Sequence, residues 1–118
     1  VNVNMDLGAR GEDLAAVFLI DAGFSVVERN WRCRFGELDI VATVDDRIVF
    51  VEVKTRSGLW YGTPAESVTC SKRRRIRMLA LQWLAESGRA WSKVRFDVVA
   101  VMIPRDGEPV IEHFVEAF

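Results

Sequence analysis

The residues in this chain best suited to chemistry lie in two neighbouring stretches, Glu37-Leu-Asp39-Ile-Val-Ala42 and Val49-Phe-Val-Glu52-Val-Lys54. Both are apolar runs with charge at alternate positions, and only a short turn around Asp45-Asp46 separates their strands, so they read as a β-hairpin. A turn centred between Asp45 and Asp46 sets Leu38 against Val53, Ile40 against Val51 and Ala42 against Val49, one wholly apolar face that belongs in a core. On the other face Val41 meets Phe50 and Thr43 meets Ile48. At its far end Asp39 falls opposite Glu52, and Glu37 opposite Lys54. Directly opposed side chains of an antiparallel pair have β-carbons about 4.5–5.5 Å apart, and like charges so placed repel. Two carboxylates among apolar neighbours need a shared proton or a hard divalent cation such as Mg²⁺. With Lys54 two residues beyond Glu52 on the same face, the set suits metal-assisted hydrolysis: a metal acidifies a bound water, and the ammonium orients it or offsets charge on a phosphate. The bland alternative is an edge strand charged to discourage pairing, with Glu37 and Lys54 as an exposed ion pair.

The elements that must position these residues follow from periodicity and stop signals. A helix is predicted from about Asp6 to Asp21, with Leu7, Gly11, Leu14, Ala15, Phe18 and Ala22 at three- and four-residue intervals and Gly23 as its stop, after a loose tail of residues 1–5. Strands follow at Phe24–Arg32, Glu37–Val44 and Arg47–Thr55. After a glycine-bearing loop, a second helix starts between Ala65 and Lys72, where Ser67, Thr69 and Ser71 are candidate N-caps. Its stripe is Ile76, Leu79, Ala80, Trp83 and Leu84, and Gly88 closes it. Strands Val94–Ile103 and Val110–Val115 complete the order α-β-β-β-α-β-β, an α/β (α+β) arrangement of a mixed five-stranded sheet flanked by helices.

With 118 residues, half of them hydrophobic and 28% charged, the chain suits one domain with one core and excludes a disordered linker. No apolar run approaches a membrane span of about 18 residues, no secretory signal precedes the first helix, and Cys33 and Cys70 form neither a disulfide framework nor a metal spacing. A cytoplasmic protein is the expectation. Net charge is −1, but the average hides a dipole. Between Lys54 and Arg77 seven cations stand against Glu66 alone, a net of +6, which leaves −7 for the rest. A local anionic partner is implied.

Asp39 followed thirteen positions later by Glu52-Val-Lys54 resembles the PD-(D/E)xK nuclease signature, and the element order resembles the restriction-endonuclease-like core. More narrowly, Gly8-Ala-Arg-Gly11-Glu12, Gly36-Glu-Leu-Asp-Ile-Val-Ala42, Phe50-Val-Glu-Val-Lys-Thr-Arg56, Arg95-Phe-Asp97 and Ala117-Phe118 look like the YraN family, uncharacterised proteins similar to archaeal Holliday-junction resolvases. The resemblance implies that Asp39, Glu52 and the backbone carbonyl of Val53 hold Mg²⁺ (or Mn²⁺), that Lys54 contacts the attacking water or the scissile phosphate, and that Glu12 is a further acid at the metal. Glu12 by itself reads equally well as a surface glutamate favoured by the helix dipole. The proline of the signature is absent, Leu38 standing before Asp39. The expected activity is Mg²⁺-dependent endonuclease cleavage of DNA, in branched or structured substrates by the resolvase resemblance, which also implies a homodimer. The alternative is a nucleic-acid-binding module of the same fold that barely cleaves; an RNA substrate would suit the same residues. No membrane and no small-molecule cofactor is expected.

The run Ser71-Lys-Arg-Arg-Arg-Ile-Arg77 opens the second helix. Four consecutive cations there oppose the macrodipole and repel one another, which favours a polyanion partner over a merely solvated face. Lys72, Arg73, Arg74, Arg75 and Arg77, with Arg56, are the candidate phosphate contacts. Trp60 and Tyr61 suit either base stacking or burial under their loop. His113, with no catalytic partner in view, reads as structural, and Arg95 and Asp97 as supports of a sheet edge.

Overall fold

A computed structural model describes residues 3–58, 67–88 and 93–118, with side chains from residue 7 onward. Its elements are α1 (Val3–Asp21), β1 (Ser25–Cys33), β2 (Gly36–Val44), β3 (Arg47–Arg56), α2 (Cys70–Ser87), β4 (Lys93–Met102) and β5 (Val110–Phe114). The expected order is observed, and it is that of a restriction-endonuclease-like core. One boundary moves: α1 begins at Val3, so residues 3–5 of the expected loose tail are helical. Nothing between Val3 and Asp6 breaks a helix, and tail and helix therefore run together. Trp60 and Tyr61 lie outside the described residues.

The five strands lie in the order β1-β2-β3-β4-β5. All neighbours are antiparallel except β3 and β4, which pair in parallel from Arg47↔Lys93 to Arg56↔Met102. Two parallel neighbours need a long crossover, and α2 lies within it. The parallel pair is covered on both faces, which explains its nearly continuous apolar runs. Ala15, Ala16 and Leu19 of α1 pack on Ile40, Ala42, Val49, Val51, Val99 and Val101. On the opposite face Ile76, Leu79, Ala80 and Trp83 of α2 pack on Val41, Ile48, Phe50 and Val98. Thr69 caps α2, its hydroxyl accepting the Lys72 N–H at 3.2 Å, and Gly88 closes it in the left-handed region at φ 66°.

One backbone feature aims β1 at both helices. An irregularity between Val26 and Glu28 adds a residue to the ladder. Glu28 then accepts the Trp83 indole N–H of α2 at 2.9 Å, while Arg29 turns to Asp13 of α1 at 2.7 Å. On the α1 side, Gly11 lies so close to β3 that a β-carbon there would overlap the Thr55 side chain. This close approach seats the next residue, Glu12, over the sheet.

Candidate metal centre

The hairpin has the expected register from Val44↔Arg47 to Ile40↔Val51. There the ladder ends. The Val53 amide N–H donates to Asp39 Oδ2 at 2.8 Å instead of to a backbone carbonyl of β2. A side chain thus takes a place in the ladder, the strands fork, and the Asp39 carboxylate is fixed at the fork. The fork also corrects the expected apolar face. Leu38 is buried among Val41, Phe50, Ile76 and Leu79 on the α2 side, away from Ile40 and Val51. Strict alternation fails because the backbone departs from a regular ladder below Ile40.

Three carboxylates converge at this fork. Glu12, Glu37 and Asp39 each place an oxygen within 4.8 Å of the others. Glu12 comes from α1, and Glu37 and Asp39 from alternate positions of β2. Glu37 was expected opposite Lys54. It instead binds Arg32 of β1, with Nε at 2.8 Å from Oε2. Glu37 is the member of the acidic group that the sequence reading did not assign as a ligand. Its spacing of two from Asp39 on one strand was the signal for it.

Glu52 and Lys54 stand beside this cluster rather than in it. Asp39, Glu37, Glu52, Lys72 and Arg75 line a cleft of about 220 Å³ floored by Gly36, Ile76 and Leu79. Glu52 is 9% exposed and its Oε1 lies 2.9 Å from Lys72 Nζ, an ion pair reaching from α2 to β3. Lys54 is half-buried on the same face and within hydrogen-bonding reach of Lys72. Val53, expected to offer its carbonyl to a metal, meets Asp39 through its N–H.

The electrostatics follow from this crowding. Burial, then the charges of Glu52, Glu12 and Glu37, push the Asp39 carboxyl up to about 7, against the pull of the Val53 N–H. Burial also raises Glu12, partly countered by Arg29. Lys54 is lowered to about 8, first by burial and then by Lys72. Asp39 and Glu12, both raised, and Glu37 beside them all offer hard oxygen donors, which fit a divalent cation such as Mg²⁺. Glu12, Glu37 and Asp39 could hold it, with Glu52 beside them.

The basic run does not act as one strip. Lys72 and Arg75 turn to the acidic cleft. Arg73 donates to the Val68 carbonyl at 2.9 Å, and its guanidinium and that of Arg77 lie over the Phe118 ring. Arg74 is exposed, and Arg56 donates to the Thr55 carbonyl at 3.0 Å. Lys72 accordingly belongs to the site itself, a role the sequence reading did not assign to it.

One expectation about β4 is corrected. Asp97 is not at a sheet edge but fully buried on a strand between two others. Arg95 donates to both its oxygens at 2.9 Å, the Glu116 N–H donates at 3.1 Å, and His113 Nε2 lies 2.7 Å from Oδ2. These bonds outweigh burial and hold the Asp97 carboxyl below its ordinary range. His113 also lies edge-on to Phe18 and Phe24. The node ties β5 and the following turn to β4.

Fold and site together define an α/β domain of restriction-endonuclease-like order with a cluster of acids at a fork in its central hairpin. The model of the uncharacterised protein family UPF0102 matches residues 11–101. A UPF0102 protein of Rhodococcus opacus (strain B4) is 62% identical over 115 residues, covering 98% of both chains, and one of Nocardia farcinica is 58% identical over 112 residues, covering 95% of this chain and 88% of its own. A third, from Mycobacterium marinum, is 50% identical over 113 residues, covering 94% and 93%. The chain belongs to the UPF0102, or YraN-like, family. Among the described residues no helix is long and apolar enough to cross a membrane.

Proposed function

We propose that this protein is a Mg²⁺-dependent DNA endonuclease that hydrolyses phosphodiester bonds, with Mn²⁺ able to substitute. The observation that carries this reading is the convergence of Glu12, Glu37 and Asp39 within 4.8 Å, beside Glu52 and Lys72. A bound divalent cation would supply an acidified water and charge for the phosphate. The rest is done by the chain's own groups. Asp39 is held in place by the Val53 N–H. Lys54, lowered to about 8, still carries its proton at neutral pH and offers Nζ–H to the developing charge on a phosphate oxygen. Arg75 at the cleft and exposed Arg74 are available to the flanking backbone phosphates. The preference for branched substrates and the homodimer needed to cut two strands belong to the same proposal, supported by the resemblance to resolvases.

The test is to incubate the protein with linear, flapped and four-way DNA in Mg²⁺, Mn²⁺ or EDTA, beside Asp39→Asn and Lys54→Ala. Metal-dependent products lost in both variants, with DNA binding retained, are expected. DNA binding with no metal-dependent product, or products that persist in the variants, would leave a binding module instead.

A further inference from the structure

Glu52 sits on β3 with nine-tenths of its side chain buried, and its ion-pair partner comes from another element. Lys72 is the third residue of α2, inside the first turn whose N–H groups Thr69 caps. A cation there is unfavourable for the helix, because the N-terminal end of the macrodipole is itself positive. What compensates is the contact at 2.9 Å with Glu52. The two side chains differ in burial: Glu52 is 10% exposed and Lys72 38%. The Lys72 side chain, on α2 and more than a third exposed, can therefore swing away without opening the core, whereas the Glu52 carboxylate cannot. Asp39 lines the same cleft, so a cation serving Asp39 and Glu52 together would meet the Lys72 ammonium.

We propose that Lys72 is an exchangeable counter-ion, whose ammonium and a divalent cation compete for the Glu52 carboxylate, the displaced ammonium then turning to an anionic oxygen of the substrate phosphate. The proposal rests on the metal-dependent reading above and adds a residue from α2 to it. Lys72 acts by exchange and positioning. It keeps Glu52 paired before loading, and it brings positive charge to the phosphate only when the metal has arrived.

Its test is a Mn²⁺ titration, by calorimetry or electron paramagnetic resonance, of the full chain and of Lys72→Met, Lys72→Gln, Lys72→Arg, Glu52→Gln and the double variant Lys72→Met/Glu52→Gln. Separating the partly buried Lys72–Glu52 ion pair so that the metal can take its carboxylate lowers the metal's affinity about tenfold. Lys72→Met is therefore expected to bind Mn²⁺ about tenfold tighter, with Lys72→Gln following it and Lys72→Arg close to the parent. In the Glu52→Gln background the same lysine replacement should bring no such gain. With Ca²⁺ in place of Mn²⁺, Lys72→Met should bind a short DNA duplex more weakly than the parent. Wild-type or weaker Mn²⁺ affinity in folded Lys72→Met and Lys72→Gln overturns the exchange while leaving the metal centre intact. Failure of the parent protein itself to bind Mn²⁺ overturns both readings.

Discussion

Replacing Asp39 with Asn should make the metal-free protein more stable at pH 8 while removing its response to metal. The ordinary carboxyl value of 3.8 is pushed to about 7 in the folded protein, first by burial and then by Glu52. The folded state thus binds this proton more tightly than the unfolded chain. Relative to high pH, the associated stability is fully present below about pH 4 and is lost as pH rises through about 7. The interval corresponds to about 4 kcal/mol. Because the repulsion is shared with Glu52, Glu12 and Glu37, a gain of about 2–3 kcal/mol is the reasonable expectation. Asparagine keeps the shape and an oxygen for the Val53 N–H, so the bond at 2.8 Å survives and only the charge is removed. For a domain of this size the gain is a rise of roughly 8–12 °C in Tm. The assay is thermal or urea unfolding in EDTA at pH 8 and at pH 4.5, then at pH 8 with Mn²⁺. The variant should gain at pH 8, lose most of that advantage at pH 4.5, and show little of the Mn²⁺ stabilisation of the parent. An Asn variant no more stable at pH 8, or equally favoured at both pH values, would refute the claim that these carboxylates crowd one another.

Asp97→Asn should cost about 3–5 kcal/mol in urea unfolding, since it leaves the partly buried Arg95 without its counter-charge. As the Asp97 carboxyl is held below its ordinary 3.8, its contribution is present above that value and lost as pH falls through the lower one. The variant should therefore show a shallower acid-unfolding slope than the parent. Gly11→Ala should destabilise by about 1–3 kcal/mol through overlap with Thr55, and should weaken Mn²⁺ binding by displacing Glu12. Adding Thr55→Gly should restore part of both, read by Tm and metal titration.

The hairpin register was legible because side chains alternate along a strand with period two and the Asp45-Asp46 turn leaves little freedom in pairing. The end of α2 was legible at Gly88, whereas its start was legible only to one of Ser67, Thr69 and Ser71, of which the structure uses Thr69. The place of Glu37 was half legible: its parity with Asp39 was plain, but its partner was not. The sequence suggested Lys54, whereas β1 brings Arg32. The basic run shows the same limit. Its charge was obvious, but the helix rotation sends Lys72 to Glu52 and Arg73 and Arg77 to Phe118.

The amino-acid order alone thus determined the hairpin and its apolar faces as far as Ile40. Tertiary structure decided which acids meet. Glu12 joins Glu37 and Asp39 because Gly11 lets α1 lie against Thr55, and Glu52 turns aside because α2 delivers Lys72. The physical reason is one of range. Alternation and capping arise within a few bonds of the residue concerned, while carboxylate contacts depend on how closely helices dock on the sheet.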